Sequence, residues 1–322
     1  MNNTLKSSSL CSLTSRKMDE NPIGSAPIWE KCLILEVKQP WDSEILDSSS
    51  IPKSTSLLLK ELTDKTIDLK FQAVIPRSKK TTNTWKIMFF KYTEQGFCRY
   101  AKSEYEVPFK ELNNIITSLA LESNSSLLNK YKVENKSERD ILVCTHGNRD
   151  SCCGKLGFQT YSSLLSSQNK FTPKTQMWRT SHTGGHRFAS TLIDLPSGRY
   201  WGHLDPNLAK AILLKEISFS SIAKYYRGSS AMNSSEEQVL EKKVLSIYDW
   251  DSEKQFEFIK NNTPSSQKRD SNIYAHVKKT LETKHWTGTI TNKILEIPGC
   301  IGKDKSVKSQ QYTLESFEEK NM

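Results

Sequence analysis

Four side chains within residues 141–188 have the types and spacing to do chemistry together. Cys144 ends the apolar run Ile141-Leu142-Val143, and Cys153 follows nine positions later. His182 follows the β-prone run Met177-Trp178-Arg179-Thr180 and Ser181; His186 stands four residues on, across Gly184-Gly185. Thiolates and imidazoles are the ligands that bind zinc or an iron–sulfur cluster. Cys153 sits beside Gly154, where the next helix should begin, and free N–H groups at a helix start stabilise a thiolate. On a helix the two histidines would share a face. The glycine pair argues instead for a tight loop that turns both rings toward one metal.

Each residue alone has an ordinary reading. A cysteine after an apolar run is a small core residue, and a lone histidine is a surface group. The pair of pairs is what points to a metal. Cys152 offers the alternative spacing Cys-x7-Cys, with Cys153 left over. Cys153 is preferred, because adjacent residues near a helix start point in different directions. Cys144-Thr145-His146-Gly147 looks like half of a Rieske motif, but its Cys-x-x-His half is missing, so His146 is read as a supporting residue. No Cys-x-x-Cys occurs, which argues against a dithiol enzyme of the thioredoxin type.

The elements around these residues follow from pattern and punctuation. A core strand is expected at 32–37, stopped by Pro40, then a helix at 56–62. Strands are expected at 69–75, 85–92 and 96–105, and a helix at 108–121 whose Phe109, Leu112, Ile115, Ile116 and Leu119 share a face. Residues 122–139 read as a polar loop and a domain boundary. A second unit then runs from a strand at 140–144 to a helix at 151–167 with the stripe Phe158, Tyr161, Leu165, and a strand at 175–181. A hairpin at 190–204 turns at Pro196-Ser197-Gly198, and Asp205-Pro206 starts a helix to about Ile217. Both units read β-α-β-β-β-α, and the second is close to a minimal thioredoxin-like unit. In such a unit the loop after the first strand and the loop before the hairpin lie at one end of the sheet, where both ligand pairs would meet. After Gly228, residues 234–260 read as helix, 261–271 as a linker, and 273–279, 284–290, 293–297 and 311–314 as strands.

Composition sets the class. The chain has 322 residues, a net charge of +10 and seven cysteines. An odd cysteine count with irregular spacing is not a disulfide scaffold, and it suits a reducing compartment such as the cytoplasm. Cys11, Cys32, Cys98 and Cys300 have no partner at ligand spacing and are taken as bystanders. No run of about 18 apolar residues marks a membrane span, and the N-terminus lacks a secretory signal. Its scarcity of acids before Asp19 is faintly that of a transit peptide, so an organellar address stays open. Residues 1–28 read as a flexible leader. No nucleic-acid motif accompanies the positive charge. Residues 170–203 carry Lys170, Lys174, Arg179, Arg187 and Arg199 against Asp194 alone, which would suit an acidic partner.

Further short runs surround the four residues: Val143 to Asp150, Cys153-Gly154, Ser181 to Ala189, Tyr200-Trp201-Gly202, Tyr226-Arg227-Gly228 and the opening Leu33 to Val37 with Pro40-Trp41. Together they resemble the sucrase/ferredoxin-like family, the thioredoxin-like [2Fe–2S] ferredoxins, over about residues 25–230. The resemblance implies a [2Fe–2S] cluster held by Cys144, Cys153, His182 and His186, with Cys153 rather than Cys152 as ligand. It implies supporting roles for His146, Cys152, Gly184, Gly185 and Arg187. The expected architecture is α/β: a flexible leader (1–28), an α/β module (29–125), a thioredoxin-like ferredoxin domain (138–230) and a small α+β extension (232–322). The expected function is one-electron transfer or redox sensing with a ferredoxin- or flavoprotein-like reductase as partner, rather than catalysis. No paired acids support a glycosidase. The alternatives are a scaffold with structural zinc on the same four residues, and a thiol enzyme using Cys144 or Cys153.

Overall fold

The computed structural model describes residues 10–65, 68–77, 83–93, 100–259, 270–278, 282–299 and 306–321. In chain order the first elements are α1 (Cys11–Lys17), β1 (Lys31–Glu36), α2 (Lys53–Lys65), β2 (Leu69–Val74), β3 (Thr84–Tyr92), β4 (Tyr100–Pro108), α3 (Leu112–Ala120), α4 (Ser125–Tyr131) and β5 (Lys132–Val133). The second unit comprises β6 (Arg139–Cys144), α5 (Phe158–Ser166), β7 (Thr175–Thr180), β8 (Leu192–Leu195), β9 (Arg199–Trp201), α6 (Pro206–Leu213), α7 (Phe219–Ile222) and β10 (Tyr226–Ser229). Beyond it lie α8 (Ser235–Tyr248), α9 (Ser252–Gln255), β11 (Phe256–Ile259), β12 (Asp270–Val277), β13 (Thr283–Pro298), β14 (Ser306–Leu314) and β15 (Glu318–Asn321).

Ten strands form one sheet in the order β10-β9-β8-β6-β7-β2-β1-β3-β4-β5. In the first unit β1 pairs parallel with β2 and antiparallel with β3, which pairs with β4. In the second, β6 pairs parallel with β7 and antiparallel with β8, which pairs with β9. The two units repeat one pairing scheme and meet edge to edge, where β2 and β7 pair antiparallel at Val74 and Thr180.

Burial follows strand period. Leu33, Leu35, Ile141 and Val143 point to the face packed by helices, whereas Cys32, Ile34, Leu142 and Trp178 form a core on the other face. The central strands β1 and β6 are covered on both faces and read as unbroken apolar runs. In α6 the Asp205 carboxylate accepts from the N–H groups of Asn207 and Leu208, and Pro206 opens the helix. A second sheet, β11-β12-β13-β14 with β15 on β13, packs its Trp286 and Phe256 against Leu240 and Val244 of α8.

Several expectations change. From Leu10 onward the expected leader is ordered: α1 buries Cys11, Ser12 and Ser15, and Ile23, Ala26 and Trp29 join the core. The expected loop 122–139 contains α4 and β5, and β5 extends the sheet on β4. The expected helix 234–260 stops at Asp249, whose φ of 52° breaks it, and its end becomes strand β11. On α5 the inward side chains are Thr160 and Leu164, while Phe158 and Leu165 are exposed. Phe109 is exposed on the same account. The strands expected at 284–290 and 293–297 are one long strand, β13. Cys98, Cys300, the start of the strand expected at 96–105 and most of the linker expected at 261–271 lie outside the described residues.

Candidate metal centre

The site sits at the seam between the two units. Cys144 is the last residue of β6, and His182 lies two residues past β7. Because β6 and β7 are parallel, both reach the same end of the sheet. Cys153 begins a single π-type turn, Cys153–Gly157, that leads into α5. Asp150 caps this helix, its carboxylate accepting from the Cys152 N–H at 2.9 Å. The turn must pass close to the ligand strand. A Cβ on Gly157 would lie 1.8 Å from the Cys144 carbonyl oxygen, so only glycine fits.

Three side chains converge. The Sγ atoms of Cys144 and Cys153 lie 3.9 and 3.6 Å from Nδ1 of His182, and all three donor atoms fall within 4.8 Å of one another. Both sulfurs are buried, at 0% and 1% exposure. The Cys153 thiol lowers the Cys144 pKa well below the ordinary thiol range by hydrogen bonding to it, while Cys153 is raised in turn. The pair thus shares one proton readily. His186 is the outer member: its ring centre is 5.9 Å from that of His182, its side chain is 31% exposed, and its Nε2 lies 3.9 Å from the Asp150 carboxylate.

Neighbouring groups hold this arrangement. His146 lends Nε2 to the Asp42 carbonyl at 2.7 Å and accepts the His182 N–H on Nδ1 at 3.3 Å. Both ring nitrogens are therefore committed to backbone, and burial lowers its pKa. Asn148 donates to the Trp41 carbonyl at 2.6 Å. Gln72, fully buried on β2, accepts from the hydroxyls of Thr180 and Ser181 and donates to the His182 carbonyl at 3.4 Å. The first unit thus grips both ligand loops of the second. Gly184 and Gly185 have φ of 83° and 68°, the left-handed region that glycine enters without strain. Arg227 supports that turn, donating to the Gly184 carbonyl at 3.1 Å and to Ser25. Burial pushes its pKa down to about 10, which leaves it a cation at neutral pH, and the Cys144 thiolate acts on it as an opposite charge. Lys70, also lowered by burial, feels Cys144 in the same way. The Arg227 guanidinium therefore offsets charge at a thiolate site. A cleft of about 470 Å³ reaches His182 and is lined by Lys70, His146, Arg149 and Ser181 among others.

A family model with the description sucrase/ferredoxin-like matches residues 22–228. The chain belongs to the sucrase/ferredoxin-like family. No curated protein and no solved structure matches it.

Among the residues singled out from sequence, Cys144, Cys153 and His182 meet, His186 flanks them, and His146 braces the loop. Arg187 is turned away from the sulfurs, pairing with Glu20 at 3.2 Å and donating to the Pro298 carbonyl. Cys152 faces Cys11 instead, their sulfurs 3.4 Å apart. Its pKa is lowered to about 7, chiefly by the hydrogen bond from Cys11. Cys11 is therefore no bystander. The basic stretch 170–203 is not a surface patch: Arg187 and Arg199 are buried against Glu20 and Glu253, and Lys174 pairs with Glu138. Sequence reasoning missed Gln72, Lys70 and Arg227 as site residues. Arg227 lies in the motif Tyr226-Arg227-Gly228, which gave no hint of its role.

Proposed function

We propose that this sucrase/ferredoxin-like protein holds a [2Fe–2S] cluster through Cys144, Cys153, His182 and His186 and serves one-electron transfer or redox sensing, in a thioredoxin-like domain. The observation that carries the reading is the graded burial of the donor set. The thiols are buried and the imidazoles half-buried, on three segments that the fold brings together. Two imidazoles on one tetrahedral metal put their ring centres about 5 Å apart, from bonds of about 2 Å. The two rings here are 5.9 Å apart, close to that spacing. Such a cluster supplies a one-electron couple, and histidine in place of cysteine makes it less negative and raises its potential. Arg227 offsets the remaining thiolate charge.

A second reading, structural zinc, has one observation in its favour. The sulfurs of Cys144 and Cys153 lie 3.9 and 3.6 Å from His182 Nδ1. Around a single zinc a sulfur-to-nitrogen edge is about 3.5 Å. Metal content decides between them. Protein purified without oxygen should be reddish brown, with about two irons and two sulfides per chain. Cys144→Ser or Cys153→Ser should abolish or severely weaken that content, and Cys152→Ser should leave it. Colourless protein with one zinc sinks the cluster reading.

A further inference from the structure

The first residue of α1 reaches across the molecule to the helix start that carries Cys153. Cys11 and Cys152, 141 positions apart in the chain, hold their sulfurs 3.4 Å apart in a small apolar cluster with Ala189, Leu10 and Leu156. They are 4% and 1% exposed. A disulfide bond is about 2.05 Å long, so closure asks for about 1.4 Å of further approach. Cys153 does not compete, because its sulfur faces Cys144 and His182. The rest of α1 is fastened over the histidine turn. Arg16 donates to the carbonyls of Ala189 and Leu204, Ser15 meets His203, and Glu20 just beyond pairs with Arg187, the residue after His186.

We propose that Cys11 and Cys152 are a redox-active thiol pair that forms a reversible disulfide, locking α1 over the metal centre. The pair does not depend on which metal is bound beside it. The oxidant is a hydroperoxide, in the simplest case hydrogen peroxide. The Cys152 sulfur attacks one peroxide oxygen and the O–O bond breaks. The departing hydroxide takes the Cys152 proton and leaves as water, and Cys152 becomes a sulfenic acid. The Cys11 sulfur then attacks the Cys152 sulfur and the S–O bond breaks. This second hydroxide leaves as water with the Cys11 proton. Two thiols lose two electrons in all, and one peroxide becomes two waters. A dithiol reductant returns both electrons and reopens the bond.

The test treats the full-length, metal-loaded protein with one equivalent of hydrogen peroxide, quenches in acid, blocks thiols with N-ethylmaleimide and digests with trypsin without reductant. Peptide 7–16 should be found joined to peptide 150–155, at the sum of the two masses less two hydrogens and plus one maleimide on the free Cys153 thiol. Because peptide 150–155 contains both Cys152 and Cys153, variants decide the partner. Cys152→Ser and Cys11→Ser should each abolish the link while keeping the metal, and Cys11→Ala should repeat the result. Amide exchange over residues 11–17 should slow roughly tenfold in oxidised wild type and stay unchanged in Cys11→Ser. The proposal is overturned if the link survives Cys152→Ser, if both thiols stay blocked by maleimide, if metal is lost before any link forms, or if exchange does not slow.

Discussion

At the scale of single residues, the two histidines set this site apart from an all-cysteine one. In the proposed cluster each could carry a proton on the ring nitrogen that does not bind metal; the His186 side chain is 31% exposed, with the Asp150 carboxylate 3.9 Å away. Reduction adds negative charge and makes a bound imidazole more basic, so a proton should follow the electron. The midpoint potential is then expected to fall by about 59 mV per pH unit, the factor for one proton per electron. His182→Cys and His186→Cys should lower the potential and flatten that slope. Redox titration from about pH 6 to 10 measures both, and a wild-type potential independent of pH removes proton coupling. His203 makes a different contribution. It is buried against Phe188 and Ser15, and burial, with Arg16 nearby, lowers its pKa to about 4 from 6.5. Its unfolded form binds a proton first, so stability is full above about pH 6.5 and is lost as pH falls toward 4. By linkage the loss is about 3 kcal/mol. His203→Asn, which tolerates the residue's φ of 55°, should flatten this acid limb in urea titrations between pH 4 and 7.

At the scale of elements, the close passage of the Cys153–Gly157 turn beneath Cys144 is the tightest constraint in the site. Gly157→Ala places a methyl against a backbone oxygen in a packed interior, so the turn or β6 must move. A loss of about 3 kcal/mol is expected, together with weaker metal binding, because both thiols ride on the two elements forced apart. Thermal unfolding and metal content read the two effects. Ala at the exposed Lys155 should leave both unchanged. The exposed Phe158 belongs to the same helix yet packs under the Arg179 guanidinium at 5.0 Å, beside the site rather than in the core.

At the scale of the molecule, two units with one pairing scheme share a continuous sheet, and the candidate metal centre occupies their junction. The second unit supplies every ligand candidate, but Gln72, Trp41 and Asp42 of the first hold the ligand loops. A fragment of residues 138–230 should therefore fail as an independent metal protein. It would expose the β7 edge and strip partners from Thr180, Ser181, His146 and Asn148. Expression of that fragment is expected to give insoluble protein or soluble protein without metal. A soluble fragment that binds metal as the full chain does would show that the first unit is dispensable.

The sequence by itself determined the candidate donor residues and most of the strands and helices. Spacing and punctuation act locally: an apolar run ended by Cys144, a helix start at Cys153, and a glycine pair between two histidines are legible within a few residues. Residue order also carried the α/β class and the repeated β-α-β-β-β-α reading. Other features needed the tertiary structure, because they depend on contacts between distant segments. The joining of β2 to β7 places Gln72 under His182, 110 positions away. The packing of α1 turns Cys11 toward Cys152, and the burial of Arg187 and Arg199 beside Glu20 and Glu253 removes a basic patch that composition suggests. Hydrophobic periodicity suggests a buried face but not what lies opposite it, and on α5 it picked the exposed Phe158 and Leu165. On α5 Leu164 is buried and Phe158 exposed, and the helix enters through a turn whose Gly157 passes against the Cys144 backbone, a contact that no local pattern encodes.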